Sequence, residues 1–182
     1  RRIKMNVIDF PYFTQDPLAV LNLFKDGKIA TSPLVSETLD DAMEHRYQIS
    51  HFIDGSVFYI EFNHRPDRAT RNVNLRKALQ LVSDSGELVY KVLKVPGNLP
   101  GQSLFPIWLT GVNGRFRDEY PPAPQRVDIA EARRHLELAK QELGVDTLPP
   151  LVLLTDDSPV SAQEAQYFQA VFKQTLDLDL KI

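Results

Sequence analysis

Residues 57–106 read VFYIEFNHRPDRATRNVNLRKALQLVSDSGELVYKVLKVPGNLPGQSLFP. The first six alternate Val57, Tyr59 and Glu61 with Phe58, Ile60 and Phe62. That is the period of a half-buried strand, with the aromatic face toward the core. Asp54-Gly55 just upstream is a strong hairpin signal, so 47–52 and 56–62 are expected to pair. Asn72 or Asn74 then caps a helix over 75–82 that carries Leu75-Arg76-Lys77-Ala78-Leu79. A second amphipathic helix is expected over 85–93, with Leu88, Val92 and Leu93 inward. It runs into Lys94-Val95-Pro96-Gly97 and a Pro-rich loop. Nothing in this order is a catalytic motif.

Outward from this centre, 3–10 reads as a strand that Pro11 ends. Thr14 or Asp16 caps a helix with Pro17 at its first position, and Gly27 stops it. A short strand is expected over 28–31. Ser36 caps a short helix through His45, with Leu39 and Met43 one turn apart. The segment 95–126 holds six prolines and four glycines. A loop of that length is functional or lies across another surface, and Leu104, Phe105, Ile107 and Trp108 are its expected anchors. Asp128 opens the clearest helix, with Ile129, Ala132, Leu136, Ala139 and Leu143 on one face and Gly144 as its stop. Residues 149–155 form a near-continuous apolar strand, as expected when both faces are buried. Asp157 or Ser158 caps the next helix, which starts at Pro159 and carries Ala165, Phe168 and Phe172. Residues 176–182 read as the last strand. Two strands joined by such a helix favour parallel pairing.

The chain has 182 residues, 43% hydrophobic and 25% charged, ordinary values for one globular domain. A net charge of −3 gives no polyanion-binding footprint, so no nucleic-acid partner is expected. No apolar run approaches the roughly 20 residues that cross a bilayer. With no cysteine there are no disulfides, thiolate metal sites or Cys nucleophiles. The opening Arg1-Arg2-Ile3 and the strand-like close at Ile182 suggest an excised domain, residues 1–182 forming a single lobe of a longer protein.

Tests for chemistry find little. Gly101-Gln102-Ser103-Leu104-Phe105 lacks the second glycine of a nucleophile elbow and follows no strand. No phosphate-binding glycine loop occurs. His45, His51, His64 and His135 are scattered without ligand-like partners, so no metal and no cofactor is expected. Thr155-Asp156-Asp157-Ser158 follows the carboxyl end of a buried strand, where open α/β sheets place ligands. Its simpler role is helix capping, which leaves N–H groups free for an anion or a peptide carboxylate. Ser161 sits on that first helical turn.

The order of elements resembles the large lobe of the family-5 extracellular solute-binding proteins, the bacterial peptide-binding components of ABC importers. The matching features are the aromatic strand closing in Phe62-Asn63, the Leu75–Leu79 helix and Lys94-Val95-Pro96-Gly97 with its prolines. Further likeness lies in Phe24–Ala30 (LFKDGKIA), Gly114–Pro121 (GRFRDEYP) and the helix ending Leu143-Gly144. Asp84-Ser85 stands where the family commonly has Asp-Arg, and Asp177 where it often has Gly. The family's aspartate-rich segment for a ligand's amino terminus would follow Ile182.

The resemblance implies a type II periplasmic-binding-protein lobe, α/β, with a mixed, largely parallel sheet flanked by helices. It implies peptide or another small solute as ligand, ABC permease subunits as partners, export to the periplasm or cell surface, and no catalysis. Lys94 gains a ligand-facing role from it. The expected cleft edge is Lys94, Thr155, Asp157, Ser158, Ser161 and Asn63. Two other readings are a ligand-sensing module of a bacterial transcription regulator and a small α/β hydrolase using Ser103.

Overall fold

The computed structural model describes residues 4, 6–10, 12, 14–52 and 54–182. Ile3, Pro11 and part of the expected first strand lie outside them; the described residues of that strand are exposed and not in a strand. The chain divides into two compact units, Arg1–Ile49 and Ser50–Ile182.

The first unit holds two helices, α1 (Pro17–Lys25) and α2 (Ser36–Glu44). Asp16 caps α1 by accepting from the Leu18 and Ala19 amides. Gly27, at φ 67, ends it in the left-handed region, where an added Cβ is costly. Residues 28–31 form no strand. The last residue before α2 is Val35, not Ser36; the Val35 amide donates to Thr38 Oγ1 at 3.1 Å. The inward pair on α2 is Thr38 and Ala42 rather than Leu39 and Met43. Lys25 Nζ bonds Asp41, tying the two helices. His45 Nδ1 lies between the Asp41 carboxylate and the Asp41 carbonyl, and its ring stacks on Tyr47.

The second unit contains α3 (Val73–Val82), α4 (Ser85–Glu87) continued by a π-helix (Leu88–Leu93), α5 (Phe116–Glu119), α6 (Ile129–Leu143), β1 (Leu151–Val152), α7 (Pro159–Leu176) and β2 (Leu180–Lys181). Its core lies between α3 and α6. Leu75, Ala78, Leu79 and Val82 bury against Ala132, Leu136 and Ala139, and Phe172, Leu176, Leu178 and Leu180 close the cluster. Ile129 and Leu143 flank this seam but stay exposed.

A polar frame locks the same helix pair. The Asn72 and Asn74 amides donate to the two oxygens of Glu142 at 2.7 and 2.8 Å. Glu142 can only accept, so each asparagine turns its NH2 toward it. Asn72 Oδ1 is then free to cap α3 at the Leu75 amide, and Asn74 Oδ1 accepts from the buried His135. Glu131 lies 3.8 Å from His135 on its other side. Two of the four histidines thus have carboxylate neighbours four residues earlier.

β1 and β2 pair in parallel, Leu151 opposite Leu180. The expected strand over 149–155 is much shorter. Its Leu151 and Leu153 face packs on the core, but Leu154 is 90% exposed. A two-stranded sheet with one covered face supports only a short ladder. The 47–62 hairpin does not zip up. Gly55 turns at φ 93 and Asp54 Oδ1 accepts from the Ser56 amide, yet neither arm is a strand. Phe58 is 86% exposed and only Phe62 packs on the core. An isolated hairpin that buries so little is marginal.

Truncating the seam is expected to be costly. Leu79→Ala should lower unfolding stability by about 2–5 kcal/mol in urea titrations, while exposed Val152→Ala should change it by less than about 0.5 kcal/mol. Equal effects would place the core elsewhere.

Candidate functional site

The sequence-derived cleft residues fall at three places in the second unit. Asn63 closes the extended segment; its Oδ1 accepts from the Arg65 amide and its carbonyl from Thr70. Lys94 ends the π-helix in the left-handed region at φ 52. Such backbone is strained for lysine, and π-turns concentrate at functional places. The π-helix packs on α7. Tyr167 of α7 holds its entry, donating to the Asp84 carbonyl and accepting from the Asp84 amide. Sequence reasoning missed Tyr167, although its place beside Phe168 on the α7 stripe was visible.

The third place is the turn between β1 and α7. Ser158 caps α7, its Oγ accepting from the Ser161 amide. The Ala162 amide bonds the Ser158 carbonyl, and Pro159 has no N–H. Among the first amides of α7, only that of Val160 is left for another partner. Asp156 accepts from the Ser158 amide at 2.8 Å. The Ser158 hydroxyl first, then its amide and the Ser161 hydroxyl, hold the Asp156 carboxyl below the ordinary range. Burial, with Asp156 adding repulsion, pushes Glu164 up. The first helical amides are thus taken largely by Ser158 itself, with Asp156 on the Ser158 amide just before them. Thr155 and Asp157 are exposed, Ser158 and Ser161 half-buried. The structure brings Ser158 and Ser161 together; among the described residues no hydrogen bond joins this turn to Lys94 or Asn63.

The sheet beside this turn has unequal edges. Leu151 and Leu153 donate their amides to β2, at the Asp179 and Lys181 carbonyls. The main-chain groups of Val152 therefore point to the opposite edge, where, among the described residues, no further strand pairs. On the far side of β2, Gln169 Nε2 donates to the Leu180 carbonyl at 2.6 Å.

The long loop is held by polar groups, not by the expected apolar anchors. Leu104 is 65% exposed, and Phe105 and Trp108 are also exposed, with only Ile107 half-buried. Arg117 instead donates to the Phe105 carbonyl. Glu119 accepts from the Val112 and Asn113 amides at 3.1 and 2.6 Å, filling the 111–114 turn. Phe116 meets the rings of Phe105 and Tyr120 at tilted angles, with centroids 4.7 and 5.0 Å away. No simple sequence signal marks Glu119, because its partners are main-chain amides.

Residues 1–182 match the family model described as bacterial extracellular solute-binding proteins, family 5 Middle. The chain belongs to that family. Among solved structures it is similar to Listeria monocytogenes OppA bound to peptide, with 24% identity, 92% of this chain and 34% of that chain covered, and a TM-score of 0.77. The substrate-binding domain of an oligopeptide ABC transporter from Bacillus anthracis str. Ames gives 24% identity, 93% and 33% coverage, and a TM-score of 0.82. A peptide-binding protein of a peptide ABC transporter gives 28% identity, 66% and 54% coverage, and a TM-score of 0.60. The chain spans about a third of the length of the first two. No curated protein matches it by sequence. The expected α/β lobe of periplasmic-binding-protein type is the fold these solute-binding relatives share with it. Among the described residues no helix is long and apolar enough to cross a membrane.

The Glu119 latch has a defined pH signature. The Asn113 amide first, then that of Val112, hold its carboxyl below the ordinary glutamate range. The folded value lies below the unfolded one, so the latch is fully set above the ordinary range and released as pH falls through the folded value. Protection factors at Val112 and Asn113, taken against the intrinsic exchange rate at each pH, should fall on that descent, and in Glu119→Gln already at neutral pH. Unchanged exchange in the variant would remove Glu119 from this role.

Proposed function

We propose that this chain is part of the substrate-binding component of an ABC importer that takes peptides. The observation that carries the reading is the family match over all of residues 1–182. Residues 1–182 would be one lobe of a larger exported protein, working at the cell surface or in the periplasm. The lobe binds and releases without covalent chemistry. A ligand drives closure of two lobes through its differential affinity for the closed state.

The geometry of the second unit suits a peptide. The outward main-chain groups at Val152 offer an extended chain a place to pair, as strand addition requires. The 155–158 turn and Ser161 stand where that pairing would end. Lys94, exposed on strained backbone, supplies the cation for a carbonyl or carboxylate of the ligand. Asp157, Ser158, Thr155 and Asn63 complete the proposed edge. Main-chain pairing leaves side-chain specificity loose.

The test is isothermal calorimetry of the full-length protein with mixed short peptides. Losing one charge-assisted bond costs on the order of 1.5–3 kcal/mol. Lys94→Ala is therefore expected to weaken binding by roughly ten- to a hundredfold. Ser161→Ala should weaken it less, because Ser161 is uncharged. Absence of peptide binding by the wild-type protein would sink the reading; wild-type affinity in both folded variants would remove these residues from the cleft.

A further inference from the structure

Between Asn63 and α3 the chain carries Arg65, Arg68 and Arg71, three exposed arginines outside the proposed cleft edge. Their backbone is fixed. The Arg68 amide bonds the Arg65 carbonyl and the Arg71 amide the Arg68 carbonyl, each at 3.0 Å. Arg76 Nη1 donates to the Thr70 and Arg71 carbonyls at 2.8 and 2.7 Å. The guanidinium groups thus stand on an ordered turn, and little main-chain freedom remains to be lost on contact.

Their charge is poorly answered from within. Asp67 lies 3.4 Å from Arg68, both exposed; such pairs contribute little. Among the described residues neither Arg65 nor Arg71 forms an ion pair. Glu142, at the same place, accepts from Asn72 and Asn74 with both oxygens and keeps its negative charge. Arg68 and Arg71 line one shallow depression with Pro66, Asn72, Asn74 and Glu142. Three guanidinium groups against the carboxylates of Asp67 and Glu142 leave this place net positive on a chain of net charge −3.

We propose that Arg65, Arg68 and Arg71 form a docking surface for an acidic protein segment. On the importer reading, on which this rests, that segment belongs to the outer face of the permease. Guanidinium groups take carboxylates in a bidentate, oriented way, and a depression suits a side chain better than a flat surface. A bilayer is the poorer fit, since lipid-binding clusters carry about four to eight cations.

The test uses the full-length protein and the importer's permease and ATPase subunits in nanodiscs of neutral phosphatidylcholine. Association is followed by surface plasmon resonance, and cargo-peptide affinity is measured on the same samples. Arg68→Glu with Arg71→Glu should slow association by about tenfold or more and leave cargo affinity unchanged. Arg68→Gln with Arg71→Gln should fall between. Wild-type association should weaken with added salt. Association that is equal in wild type and variants overturns the proposal. So does capture of the wild type, but not the Glu variant, by phosphatidylglycerol vesicles while nanodisc association stays equal. A wild type that docks through the arginines but binds no cargo peptide would sink the peptide reading and leave the surface standing.

Discussion

Three alanines, Ala78 on α3 and Ala132 and Ala139 on α6, are wholly buried in the seam between those helices. Their lack of side-chain bulk lets the two backbones come close, and Leu75, Leu79 and Leu136 fill the space around them. Interiors are packed to crystal-like density, so a larger side chain at any of the three would force the helices apart. Phe172 and Leu176 of α7 bury against the same cluster, and α7 carries the rest with it. One end of α7 holds the 155–158 turn. Its middle holds Asp84 through Tyr167, and with it the start of the π-helix that ends at Lys94. The candidate cleft residues on two different loops thus depend on one helix pair.

The polar frame around Glu142 has a different role from the apolar seam. Burial is non-directional, so leucines and alanines alone leave the two helices free to slide. The Asn72–Glu142–Asn74–His135 chain fixes the register, because each donor has one acceptor and each acceptor one position. The same frame anchors the start of α3, just after the arginine-bearing turn. Fold and surface are therefore coupled at one point.

Much of this was legible in the sequence wherever a signal is local. The cap at Asp128 and the stops at Gly27 and Gly144 are written in single residues; the caps at Asp16, Asn72 and Ser158 are each one of two polar candidates close together in sequence, and the helices follow them. The parallel pairing of the last two strands also followed from element order. Strands were over-read because alternation specifies a face but not a neighbour. Residues 56–62 have the pattern and, among the described residues, no partner to pair with. The loop departs from expectation for a related reason: its apolar residues have the spacing of anchors, whereas a carboxylate bonding main-chain amides holds it. The candidate site was legible as places, at the end of β1, the end of the π-helix and Asn63. That Ser158 itself takes the first α7 amides, with Asp156 on the Ser158 amide, is a matter of side-chain direction, which spacing does not encode.

The central claim is that the α3–α6 seam is the unit on which α7, β1 and the candidate edge stand. Native-state hydrogen exchange across residues 50–182 tests it most directly. The account predicts that the amides of α3, α6 and α7 exchange last and together, by one shared opening, with residues 95–126 exchanging far sooner. Protection in α7 and β1 that persists while α3 and α6 exchange freely would contradict it.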